Sequence, residues 1–161
     1  MTFLISTNKI VYKRIDKICS KDNEFISLEK KSCIKCPPYF KKYSNFPFAC
    51  YLKLDYIATF TKAKSDCEQN GGFLARPKSL KERNLFKELY GSSYFWVDSK
   101  ITQLNEKYKW NDGTKVEGFY LGEPNNGLIL NEFSENVLII SNGEFYGIQD
   151  STQNNVLCQY N

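Results

Sequence analysis

The chain reads as an α+β domain. Two short helical patterns come first, a series of strands and loops follows, and the cysteines Cys67 and Cys158 bracket most of that stretch. The first pattern places Phe60, Ala63 and Cys67 at i, i+3 and i+7, one apolar stripe of a helix that Gly71-Gly72 ends. The second opens on Ser79 and Glu82 as a capping box, carries Leu85, Phe86 and Leu89 as its apolar face, and stops at Gly91. Beyond it the apolar residues cluster in short runs between turn signals, as strands do.

Upstream of the helices, Phe40, Tyr43, Phe46 and Phe48 lie between Cys36 and Cys50 and predict a hairpin with its turn at Ser44-Asn45. Downstream, Tyr94-Phe95-Trp96-Val97 reads as a short buried run, and Tyr108-Lys109-Trp110 leads into the turn Asn111-Asp112-Gly113. A long loop region extends from there to Glu135. Val137-Leu138-Ile139-Ile140, the dipeptide Asn142-Gly143 and Glu144-Phe145-Tyr146-Gly147-Ile148 form a second hairpin pattern with a two-residue turn. Val156-Leu157-Cys158 closes the domain. Residues 1–32 show no clean periodicity and are assigned to an N-terminal extension, with the domain proper over 33–161.

Composition narrows the function classes. The 161 residues are 42% hydrophobic and 16% aromatic, enough to bury a core and too apolar for a disordered chain. The net charge of +4 arises from 22 basic and 18 acidic residues, with no nucleic-acid module around the basic ones. There is no histidine, which removes His-based triads and imidazole zinc sites. Six cysteines suit a disulfide framework in an oxidising compartment. Met1–Thr7 carries too short an apolar run for a signal peptide, so secretion is inferred from the cysteines. No apolar stretch approaches the roughly 20 residues that span a bilayer. Cys33-Ile34-Lys35-Cys36 has redox spacing, but Pro37-Pro38 follows where a helix would have to start, so a structural role is expected.

The stretch richest in chemistry is Gly122-Glu123-Pro124-Asn125-Asn126, with Glu135 ten residues beyond Asn125. Calcium takes about six to eight oxygen ligands from carboxylates, amide carbonyls and water. Glu123, Asn125 and Glu135 supply three or more such oxygens, and their leftover lone pairs and N–H groups, with Asn126, suit the hydroxyls of a sugar. Paired carboxylates such as Glu123 and Glu135 also flank scissile bonds in glycosidases. No nucleophile–base constellation accompanies them here, and the chain is not read as an enzyme. Trp96 and Trp110 stand in apolar surroundings and are assigned to the core. Phe119, Tyr120 and Tyr146 are the aromatic candidates for ligand contact beside the loop.

Several of these segments stand in a telling order: Cys36-Pro37 with Cys50-Tyr51, Phe60-x-x-Ala63-x-x-x-Cys67, Gly71-Gly72-x-Leu74-Ala75, Tyr94-Phe95-Trp96-Val97, Trp110-x-Asp112-Gly113, Gly122-Glu123-Pro124-Asn125-Asn126 and Val156-Leu157-Cys158. The order resembles the C-type lectin-like domain over roughly Cys36 to Tyr160. The resemblance implies two helices with small antiparallel sheets and a long loop region. It pairs Cys67 with Cys158, and Cys36 with Cys50 as in the long form of the domain. Cys19 and Cys33 are then assigned to each other, with exchange among neighbouring partners as the alternative. A Cys67–Cys158 bridge closes about ninety residues and stabilises by roughly 4–5 kcal/mol on the chain-entropy model.

The sequence departs from the family in two places. Val137 and Asp150 fall where a second inner disulfide would stand, so that bridge is missing. The other departure concerns calcium. Sugar-binding members build the principal calcium site from a Glu-Pro-Asn loop whose proline is cis, a later Glu, and an Asn-Asp pair after a Trp. Glu123, Asn125 and Glu135 match the first part. Counted without gaps from Asn142-Gly143 to Cys158, Phe145 takes the Trp position and Tyr146-Gly147 the Asn-Asp position. A slipped register puts Gln149-Asp150 there as further metal ligands, but needs a shortened loop before Cys158.

The resemblance therefore implies a secreted or extracellular recognition domain whose partner is a glycan or glycoprotein. By the triplet at Glu123, the sugar is of mannose, fucose or GlcNAc type, with calcium dependence weakened or lost. Calcium-independent binding of a protein ligand by the same loop surface is the alternative reading.

Overall fold

The computed structural model describes Cys19, Lys21 and residues 23–103, 105–125 and 135–161. The chain divides into two compact units, Met1–Leu52 with Tyr160–Asn161, and Lys53–Gln159.

In the first unit, β1 (Glu24–Ser27) and β2 (Ser32–Lys35) pair antiparallel, Phe25 opposite Ile34 and Ile26 opposite Cys33. Cys33 is bridged to Cys19. This hairpin and its bridge tie together residues on both sides of position 32. β3 (Lys41–Tyr43) then turns through Ser44-Asn45 into β4 (Phe46–Ala58), with Lys42 opposite Cys50. Cys50 is bridged to Cys36, the residue that leads into Pro37-Pro38. The C-x-x-C cysteines thus belong to two separate structural bridges.

The second unit takes over β4 at Lys53. The helix α1 (Phe60–Gln69) buries Phe60, Ala63 and Cys67, the stripe read from their spacing, together with Asp66. Asn70 caps its C-terminus, and Gly71 follows with φ of 81°, a left-handed conformation that glycine adopts without a side-chain clash. β5 (Phe73–Leu74) and α2 (Leu80–Tyr90) come next. β6 (Phe95–Lys100), β7 (Val137–Ser141), β8 (Glu144–Ile148) and β9 (Asn154–Tyr160) complete a sheet ordered β4-β9-β6-β7-β8, with β5 paired to β9. Every residue of β7 is buried, as expected of a central strand covered on both faces.

Two expectations for this unit change. The Ser79 hydroxyl accepts from the Glu82 amide at 3.1 Å, but the Glu82 carboxylate reaches past Ser79 to the Lys78 amide at 3.0 Å. Its other oxygen accepts from Gln159 Nε2 at 3.1 Å, which draws Glu82 into the interior with Leu85 and Phe86. The buried face of α2 is therefore partly polar, and Leu89, expected on it, is 41% exposed. Tyr94, expected in a buried run, precedes β6 and is 53% exposed.

Cys67–Cys158 joins α1 to β9 across a sequence separation of 91. Nearby, Trp96 is fully buried, donates its indole N–H to the Ala58 carbonyl at 2.7 Å and meets Phe60 edge-to-face. That bond satisfies the one polar group the indole brings inside. The β7–β8 hairpin turns through Asn142 (φ 51°) and Gly143 (φ 81°), both left-handed as a type I′ turn requires.

Candidate functional site

Residues 118–120 are laid along β8 by backbone bonds. The Phe145 amide donates to the Gly118 carbonyl, and the Tyr120 amide to the Phe145 carbonyl, each at 3.1 Å. Beneath them Phe145 is fully buried, with Trp110 and Phe119 packed edge-on against it and Tyr108 against Phe119. Phe119 thus turns inward to this cluster. From α2, Arg83 Nη1 donates to the Glu117 carbonyl at 3.0 Å, and the guanidinium lies 5.8 Å from the centre of the Phe145 ring. A side chain at Gly118 would collide with that guanidinium.

The chain then turns tightly. The Glu123 amide donates to the Tyr120 carbonyl at 3.0 Å, and Gly122 sits at φ of 90°, the third turn position, where a type II turn needs glycine. Leu121 is left at the tip, 91% exposed. The Glu123–Pro124 bond is cis.

Glu123 is held by its neighbours. Oε1 accepts from Asn125 Nδ2 at 2.9 Å, and Oε2 accepts from the Gly147 amide at 3.1 Å and the Asn125 amide at 3.4 Å. Glu135 is the second carboxylate here, and its backbone carbonyl accepts from the Tyr108 hydroxyl at 2.8 Å. The two carboxylates converge on Gly147. A Cβ there would stand 2.8 Å from Glu135 Oε2 and 3.4 Å from Glu123 Oε2. The missing side chain is thus space that both carboxylates use. Burial pushes the Tyr108 phenol well above the usual tyrosine range, and the charges of Glu135 and Glu123 add to it. Burial also raises the Tyr146 phenol, with help from Glu144, Tyr120, Tyr94 and Glu123.

The structure thus brings Glu123, Asn125, Glu135 and Gly147 together, while Asn126 lies outside the described residues. Gln149 is exposed, and its carbonyl accepts from Thr152. Asp150 is engaged elsewhere. Its carboxylate accepts from Lys100 Nζ at 2.8 Å and Asn136 Nδ2 at 3.0 Å, and its amide donates to Asn136 Oδ1 at 3.1 Å. These bonds link Asp150 to the residue next to Val137, close to the place of the missing disulfide. Tyr108 and Arg83 support the site without having been singled out by the sequence. A tyrosine between two lysines and an arginine on a helix carry no local sign of what they meet.

With this geometry in view, the lectin C-type domain profile matches residues 57–160, well over half of the chain. The chain belongs to the C-type lectin domain family. It is similar to the C-type lectin domain family 2 member D3 of Rattus norvegicus, 30% identical over 80 residues, which are 50% of this chain and 31% of that protein. It is also similar to the lactose-binding lectin l-2 of Anguilla japonica, 30% identical over 98 residues, covering 56% of this chain and 57% of the eel protein. The chain thus spans less than two thirds of either relative. Among solved structures, the carbohydrate-recognition domain of the mouse scavenger receptor C-type lectin superposes with a TM-score of 0.67 at 24% identity, over 78% of this chain and 97% of that one.

C-type lectin domains usually bind calcium. Glu123, Asn125 and Glu135 offer side-chain oxygens. Facing them is a peptide N–H from Gly147, a donor already committed to Glu123, beside the ring of Tyr146. Among the described residues, no group of three or more acidic, histidine or cysteine residues is placed to hold a metal ion. The described donors do not fit an ion that takes about six to eight oxygens.

Proposed function

We propose that this lectin domain is an extracellular, non-catalytic recognition module that binds carbohydrate through the loop around Glu123-Pro124-Asn125, with calcium dependence weakened or lost. The observation that carries the proposal is the Gly147 amide donating to Glu123 Oε2 at 3.1 Å. That bond orders the Glu123 carboxylate from within the protein, where a cation would otherwise be expected to do so. A carboxylate has about four acceptor positions. Three donors reach Glu123, which leaves capacity for a ligand hydroxyl. Glu135 lies across Gly147, and the Asn125 amide lies beside Glu123.

The Glu-Pro-Asn triplet favours mannose-, fucose- or GlcNAc-type sugars. The eel relative is named for lactose, so a β-galactoside is the natural competitor. The three disulfides suit an oxidising, extracellular setting. No described helix is long and apolar enough to cross a membrane. A protein ligand on the same surface is the second reading, favoured by the exposure of Tyr120 (48%) and Leu121 (91%) beside the loop.

A glycan array of the wild type and of Glu123→Gln, each in calcium and in EDTA, tests this. Mannose-type signal that survives EDTA and drops at least about tenfold in the variant is the expected result. Signal seen only with calcium would overturn the cation-independent part. No glycan signal under either condition would leave protein recognition as the function.

A further inference from the structure

Beside the carboxylates lies an aromatic surface that neither the polar site nor the core uses. Tyr120 and Tyr146 stack, ring centres 5.1 Å apart and planes 26° from parallel. Stacking covers one face of Tyr120, yet 48% of the residue is exposed. Leu121 extends the surface at the turn tip. Tyr94 is 53% exposed and close enough to influence the Tyr146 phenol.

The stack is fixed to the polar site through the backbone. Tyr120 and Glu123 are the first and last residues of one tight turn, joined at 3.0 Å. Tyr146 directly precedes Gly147, whose amide holds Glu123. Ring pair and carboxylate therefore arise from the same two segments and cannot move far independently. Tyr120 is further anchored by its own amide on the Phe145 carbonyl.

A pyranose ring has the complementary character, with a face of C–H bonds and a rim of hydroxyls. The aromatic π-face is electron-rich and attracts the polarised C–H groups, while carboxylates accept from hydroxyls at the rim. A flat apolar floor with a few convergent polar groups is the usual make-up of a small-ligand site.

We propose that the Tyr120–Tyr146 stack is the apolar floor of the sugar site, receiving the C–H face of a pyranose whose hydroxyls reach Glu123 and Asn125. This inference rests on the carbohydrate reading above. It assigns to ring stacking a share of the affinity that a bridging cation would otherwise supply.

The test titrates the whole chain, in EDTA, against immobilised mannosylated albumin, lactosylated albumin and unmodified albumin. Tyr120→Ala is expected to weaken binding to the preferred glycosylated albumin about three- to tenfold, the worth of one aromatic contact. Tyr120→Phe keeps the ring and should stay within about twofold of wild type. The Tyr120→Ala thermal midpoint is measured alongside, so that a folding defect is seen as such. If that variant is destabilised, Tyr120→Leu, which keeps bulk but loses the flat face, is compared with Tyr120→Phe in its place. Undiminished binding by Tyr120→Ala, together with a loss in Glu123→Gln, overturns the stacking floor and leaves the carbohydrate reading standing. A Tyr120→Phe loss as large as that of Tyr120→Ala would assign the contact to the hydroxyl and also overturn it. Equal binding to unmodified albumin, or none to either glycosylated form, would sink both.

Discussion

Two regions of the lectin domain are closed by different chemistry. Around α1 and β9, Cys67–Cys158 ties helix to strand, Trp96 packs on Phe60, and the buried Asp98 carboxylate is gripped by Arg76 at 2.6 Å and Lys64 at 3.2 Å. Around the ligand loop, the segments are tied by hydrogen bonds: Gly147 to Glu123, Tyr108 to the Glu135 backbone, and Asn136 to Asp150 on both of its sides. A disulfide constrains the unfolded chain whatever the solvent, whereas each hydrogen bond exchanges with water for a net gain of about 1 kcal/mol. The loop region is thus the one whose order depends on solution conditions and on single side chains.

The largest expected effect breaks the covalent side. Replacing both Cys67 and Cys158 by serine should cost roughly 4–5 kcal/mol in urea unfolding, the chain entropy of a loop of this length. Next comes the floor beneath the loop. Phe145 is fully buried against Trp110 and Phe119, and Phe145→Ala should cost about 3–5 kcal/mol. A cost below about 2 kcal/mol would mean that the site collapses to fill the cavity, contrary to a rigid platform.

The polar tie is weaker. Asn136→Ala removes its paired bonds with Asp150 and should cost about 1–2 kcal/mol, read in the same unfolding experiment. The smallest effect is a pH dependence. The Lys100 ammonium, followed by Asn136, holds the Asp150 carboxyl below its ordinary value, against the opposing effect of burial. A depressed folded-state pKa gives stability that is present above the unfolded value of about 3.9 and is lost as pH falls through the folded value. Lys100→Met should flatten that acid limb and leave stability above pH 5 within about 1 kcal/mol, since the pair is partly exposed. An unchanged acid limb would assign the pH dependence to another carboxylate.

The two helices and the β3–β4 and β7–β8 hairpins were legible because their signals are local, whereas the β1–β2 hairpin lies in a stretch without clean periodicity and was not read from the sequence. A stripe at i, i+3 and i+7 marks α1, and Asn142-Gly143 supplies the two left-handed residues of the β7–β8 turn. Burial was less legible where it depends on neighbours distant in sequence. Gln159 draws Glu82 inward, and with the α2 face filled, Leu89 is left outside. The candidate site was half visible. Carboxylates and amides announce themselves by type, but Gly147 contributes an N–H and an empty volume, neither of which a residue letter displays as chemistry. Read as a ligand position, glycine offers little. In the structure it is where Glu123 and Glu135 meet.

On the proposed reading, the protein's own donors order the loop around Glu123. The most direct test is the thermal midpoint of the wild-type chain in EDTA and across increasing calcium. A midpoint that stays constant is the expected result. A midpoint that climbs steadily with calcium concentration, as it must when an ion binds only the folded state, would contradict it.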